Sequence, residues 1–332
     1  MTNTETIQNL SYESKLKELI KGKIYYNFAL KSNQNDDDFR NEIVDHLLEG
    51  INPKYYEYLF ELISSRIHEF HVTSGSSAYY GFGSPYSKND GSRDIKIGTK
   101  CPSVDFAHEL GHASDNYQVE PKEKNSKYYS FLEIKDASLD DTLHEEVSRV
   151  VPKIYNSMRR FLNKSLNEEL GPKSFELLET FDAIENAAHR LVFDQPSMSS
   201  KGGKEEYISD LYDYLYKGIK DTVDCKRLKR FIRKYLDSNT YKELCANYGG
   251  AIIDMMSSMY DVNPYRIYGH SINYFKSNHN LGAEFFAEFF SYVLVEDEHN
   301  LELMKKYFPK SYRKAKIVFN KVMEGKEELL LK

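Results

Sequence analysis

The chain has little cysteine. Three are present in 332 residues, Cys101, Cys225 and Cys245. An odd number with no C-x-x-C pair argues against a disulfide framework and fits a reducing compartment. Basic excess is also missing. The net charge is −6, with charges of both signs interspersed, so a general nucleic-acid binder is not expected. A Lys/Arg-rich piece, Lys226-Arg227-Leu228-Lys229-Arg230, is interrupted at helical spacing and reads as a solvated helix face. No stretch approaches the ~20 apolar residues of a membrane-spanning helix. The start, Met1-Thr2-Asn3-Thr4-Glu5-Thr6, has neither the basic nor the apolar part of a signal peptide. The expectation is a protein cytoplasmic as synthesised, with secretion or delivery by a signal-independent route left open. There is no internal repeat and no long low-complexity tract. The hydrophobic content, 40% over 332 residues, supports one large domain or two smaller ones.

Against these absences stands one motif, His108-Glu109-Leu110-Gly111-His112, which is H-E-x-x-H. On an α-helix, residues i and i+4 share a face, so His108 and His112 can direct two imidazoles at one metal ion. Glu109 is then placed to take a proton from a water on that metal. The surrounding residues support a helix. Ser103 reads as its N-cap and Asp105 falls in its first turn. Phe106, Leu110 and Ala113 form a face roughly opposite the histidines. Gly111 weakens the helix but lets another backbone come close. Cys101 reads as a small residue before the helix, not as a ligand.

Hydrophobic spacing and breakers outline the rest. Helices are expected at 11–30, 38–50 and 54–68, the last starting at Asn52-Pro53. Residues 69–100 are rich in Gly, Ser and Tyr. Phe70 and Val72 alternate with polar positions, as do Ile95 and Ile97, so two or three short strands are expected there. The edge of such a sheet could hold an extended peptide by strand addition. Beyond residue 120 the chain reads as mostly helical. Expected helices are 140–163, 173–193, 204–218, 222–236, 239–247, 249–261, 282–295 and 309–324.

A catalytic zinc takes three protein ligands plus water, and the motif supplies two. The best source of a third is the stretch from Gly282 to Val293. On a helix, its Phe285, Phe286, Phe289, Phe290, Tyr292 and Val293 cover an arc of roughly 200° and must be largely buried. Glu284 and Glu288 lie together on the remaining narrow face. Carboxylates in that position need partners, and a metal with a ligating histidine would supply them. Two rivals remain: Glu185 with His189, and Glu145 and Glu146 after His144.

The segment Phe106-Ala107-His108-Glu109-Leu110-Gly111-His112-Ala113-Ser114-Asp115, with Tyr268-Gly269 and Glu284-Phe285-Phe286-Ala287-Glu288, resembles the catalytic domain of anthrax toxin lethal factor. That domain has zincin relatives among bacterial and phage effector metallopeptidases. The resemblance implies that Glu284 is the third zinc ligand, and that Glu288 and Asp115 support the ligands from outside. It also implies a tyrosine that stabilises the transition state. Tyr268 matches best, and Tyr274 competes because Tyr268 lies further from Glu284 than in lethal factor. The likeness covers about residues 66–118 and 262–324. Roughly 170 residues separate the two zinc motifs here, far more than in that family.

Together these readings give an α+β, predominantly helical, zincin-like metallopeptidase. A small mixed sheet precedes the motif helix. An N-terminal helical region, 1–65, leads into a domain at 66–332 with a helical insertion at about 120–262. The expected function is a zinc-dependent endopeptidase of the glutamate-zincin type. It would act on a protein or peptide substrate as a toxin- or effector-type protease. Zn2+ would be held by His108, His112 and Glu284, with Glu109 as the base and Tyr268 at the oxyanion. The alternative is a catalytically inactive zincin-like binding or scaffold protein of a phage or toxin system. The intact Glu109 speaks against that. A structural zinc site would favour cysteine, and no cysteine pair supports one.

Overall fold

The structure is a computed structural model that describes residues 3–30, 34–75, 78–82, 93–118, 127–133, 137–153, 251–252, 254–255, 258–259, 275 and 281–323. The fold is α+β and mostly helical. The chain divides into two compact units. One comprises Met1–Thr142, Gly282–Lys305 and Pro309–Lys332, and the other Leu143–Leu281 and Lys306–Phe308.

The first unit opens with helix α1 (Asn3–Lys23), whose Leu16 and Ile20 are fully buried. This helix ends earlier than the expected 11–30. Ile24 and Tyr25 leave it to form strand β1 (Ile24–Tyr25). Branched and aromatic side chains fit a pleated surface better than a helix. Helix α2 (Asp36–Leu48) is capped by Asn35, whose side chain accepts from the Asp38 N–H at 2.8 Å. Asn52 caps a 3-10 turn, Pro53–Tyr55, that leads into helix α3 (Tyr56–Arg66).

Strands β2 (Ile67–Thr73), β3 (Ala78–Phe82) and β4 (Arg93–Gly98) complete a mixed sheet in the order β1-β2-β4-β3. The first three neighbours run parallel, and β3 lies antiparallel to β4 at one edge. Register aligns Ile24, Phe70, Ile95 and Tyr80 across the four strands. Directly opposed residues project to the same face, so this row forms one floor. Phe70 and Ile95 are fully buried. The small sheet expected before the motif is present. Its first strand comes from the N-terminal region, so residues 1–65 share a compact unit with the motif helix.

Helix α4 (Ser103–Asp115) lies against this sheet. Phe106, Leu110 and Ala113 are fully buried, as their spacing predicts, and Phe106 meets Phe70 edge-on with ring centroids 5.7 Å apart. One detail differs. Ser103 is the first helical residue, not the cap. Pro102 holds the cap position without a side-chain bond, since its fixed φ already suits a helix entry. A two-stranded ribbon follows, β5 (Asn116–Gln118) with β6 (Lys127–Tyr128), where no strand was expected.

Helix α5 spans residues 139–153. Helix α6 (Leu281–Leu294) buries Phe285, Phe286 and Phe290 completely. Phe290 packs on Phe319 of helix α8 (Pro309–Met323), with centroids 5.7 Å apart. Helix α7 (Glu298–Tyr307) was not expected from the spacing. Asp297 starts it by accepting from the Asn300 N–H at 3.0 Å.

In the second unit, Leu143, Val147 and Val151 form the buried stripe of α5, and Ala251, Ile252 and Met255 are also buried. The expected helices between 173 and 247, and most of the expected insertion, lie outside the described residues. Among the described residues, no helix is long and apolar enough to cross a membrane.

Candidate metal centre

Helix α4 brings His108 and His112 onto one face, as four-residue spacing dictates. Their Nε2 atoms lie 3.2 Å apart. Helix α6 supplies Glu284, whose Oε2 is 3.3 Å from Nε2 of His108 and 3.4 Å from Nε2 of His112. Glu284 is 0% exposed. The three donor atoms lie within 4.8 Å of one another, and this group could hold a metal ion. No other such group occurs among the described residues.

A missing side chain makes the convergence possible. A Cβ on Gly111 would stand 2.8 Å from the Cα of Ala287 and 3.2 Å from its carbonyl oxygen. Glycine therefore lets α4 and α6 approach backbone to backbone, next to His112 on one helix and one turn after Glu284 on the other. At the start of α6, Gly282 donates its N–H to Oδ1 of Asp140 at 2.7 Å. That bond fixes the helix two residues before Glu284 and satisfies an N-terminal donor.

Other groups surround the donors. Oε1 of Glu288 lies 3.7 Å from Nδ1 of His108, on the side of the ring away from Glu284. Burial opposes the charged form of His108. The bond to Glu284 and the charges of Glu288 and Glu109 outweigh it and hold the imidazole up at about 10. Asp105, one turn earlier, has its carboxyl pushed up by burial, an effect the His108 charge opposes.

Asp115 is fully buried and accepts two hydrogen bonds from Ser130, from its N–H at 2.8 Å and from its hydroxyl at 2.6 Å. Burial pushes this carboxyl up to about 7, opposed by the Ser130 bonds and by the charge of His112. Asp115 thereby ties the end of α4 to the turn after β6.

Glu109 faces the sheet edge. Its Oε2 accepts the backbone N–H of Tyr80 at 2.6 Å. The Tyr80 ring stacks on His112, with centroids 6.5 Å apart and planes inclined by 15°. Burial pushes its phenol up to about 12. Nothing in the sequence marked Tyr80 among its tyrosine-rich neighbours, nor Ser130. Both owe their place to the pairing of strands, β3 with β4 and β5 with β6.

The structure thus brings His108, Glu109, His112, Glu284 and Glu288 together, with Asp115 at the end of the same helix. Tyr268, Tyr274, Glu185 and His189 lie outside the described residues. His144 and Glu145 are exposed on α5, while Glu146, expected on a solvated face, is fully buried, with Arg149 at 3.8 Å. Cys101 is buried, its thiol pushed up to about 12 chiefly by desolvation. Comparison with protein-family models, with curated proteins and with solved structures finds no match.

Proposed function

We propose that this protein is a zinc-dependent endopeptidase of the glutamate-zincin type, acting on a peptide bond in a protein substrate. The observation that carries the reading is the convergence of His108, His112 and Glu284 within 4.8 Å. Two imidazole nitrogens and one carboxylate oxygen are a donor set that catalytic zinc takes, with a position left for water. The likeness of the two motifs to those of the lethal factor zincins supports the same assignment, including the toxin- or effector-type role.

Zinc held by these residues would supply Lewis acidity, polarising a carbonyl and lowering the pKa of water toward neutral. Glu109 accepts the proton of the attacking water and passes it to the leaving amine. Glu288 steadies His108 from its Nδ1 side, and Asp115, with Ser130, anchors the helix end that carries His112. The resemblance to the lethal factor zincins implies a tyrosine hydroxyl for the developing oxyanion, Tyr268 before Tyr274, both outside the described residues. Strand β3 borders the group at the sheet edge, through the Tyr80 N–H that Glu109 accepts.

The test has two parts. Protein purified without chelators should carry about one equivalent of zinc by elemental analysis. With zinc and a candidate proteome it should create new N-termini that vanish in Glu109→Gln, a variant that keeps its zinc. A chain that takes up no zinc ends the reading. Zinc without any Glu109-dependent cleavage leaves a zincin-like binding protein instead.

A further inference from the structure

Tyr80 reaches both Glu109 and His112 of the motif. Sheet register puts it there. It stands opposite Ile95, in the row that begins with Ile24 and Phe70, so its ring projects to the face that α4 covers. On that face it meets the His112 imidazole nearly parallel, at 6.5 Å and 15°. An offset stack of this kind restrains ring rotation.

The backbone of the same residue does a second job. Strand β3 is the edge of the sheet. The Tyr80 N–H, directed out of the sheet, goes to Oε2 of Glu109 at 2.6 Å. A short bond to a carboxylate is stronger than one between neutral groups, and it fixes the plane of the acceptor. One strand residue therefore orients a metal donor through its ring and the neighbouring carboxylate through its peptide N–H.

We infer that Tyr80 is a positioning residue of the centre: its ring holds His112 in the ligating orientation, and its N–H aims Glu109. The inference rests on the zinc reading above. It assigns no chemistry to the phenol. It separates two effects that a purely space-filling tyrosine would not separate. Loss of the ring should act on metal affinity, and loss of the N–H on turnover.

The experiment measures zinc(II) affinity by competition with a chromophoric chelator, with fold checked by circular dichroism. Tyr80→Ala should bind zinc about 10- to 100-fold more weakly, the usual effect of removing a group that orients a ligand. Tyr80→Phe, which keeps the ring, should restore most of that affinity. If Tyr80→Ala does not fold, Tyr80→Leu keeps the bulk but offers no planar face, and should show the same loss. Replacing the Tyr80 peptide N–H by an ester oxygen should leave zinc affinity intact and lower kcat on a peptide about tenfold or more, with KM little changed. Wild-type protein that binds no zinc would overturn the metal reading and this inference with it. Zinc bound equally by wild type, Tyr80→Ala and Tyr80→Leu would overturn this inference alone, as would an ester variant with unchanged kcat.

Discussion

At the scale of single residues, Glu284 decides most. It is fully buried and stands 3.3 and 3.4 Å from the two imidazoles. A carboxylate removed from water is stable only beside positive charge or strong donors. Without metal, a raised His108 provides that charge, and with zinc the metal provides it. On the zinc reading proposed above, Glu284→Ala should retain no zinc after dialysis, while Glu288→Ala, which removes only an outer contact, should weaken binding about 10- to 100-fold. Elemental analysis after dialysis and a chelator titration check both. Full zinc in Glu284→Ala would move the third donor elsewhere, with Glu185 next in line.

At the scale of elements, the two donor helices are held at a fixed spacing by what they lack. The clash distances at Gly111 are with backbone atoms of Ala287, which cannot step aside alone. Gly111→Ala should push α6 outward, destabilise the fold by about 1–3 kcal/mol, and weaken zinc binding because Glu284 travels with its helix. Gly22 in α1 is the control: a Cβ there meets nothing within 4 Å, so Gly22→Ala should stabilise by up to about 1 kcal/mol. Thermal unfolding and zinc titration of the two variants separate the cases, and equal behaviour would remove the close-approach argument. The close approach was readable in the sequence, as was the Glu284/Glu288 face. A small residue within a ligand motif, and two carboxylates on the narrow face of an aromatic helix, leave few other arrangements. Strand β1 was not readable, because Ile24 continues the apolar stripe of α1 and periodicity alone cannot mark where the helix stops. The contacts of Tyr80 with Glu109 and of Ser130 with Asp115 were hidden for another reason. They depend on strand register between segments whose spacing carries no trace of their pairing.

At the scale of the molecule, the donors come from two separate runs of chain. The first unit contains Met1–Thr142 and resumes at Gly282, so His112 and Glu284 meet across roughly 170 residues of sequence. The bond between Gly282 and Asp140 brings the two runs side by side at 2.7 Å. A metal bridging them would act on stability as a ligand of the folded state alone, because no unfolded chain holds donors so far apart in register. Free zinc at about 100 times its dissociation constant then adds about 2.7 kcal/mol. For a domain of this size each kcal/mol moves Tm by about 2–4 °C, so chelation should lower Tm by about 5–11 °C. The control is Glu284→Ala, in which chelator should leave Tm unchanged because one of the two runs no longer reaches the metal. A wild-type Tm indifferent to chelator would show that no metal joins α4 to α6. An equal drop in Glu284→Ala would show that zinc stabilises the fold from some other set of donors.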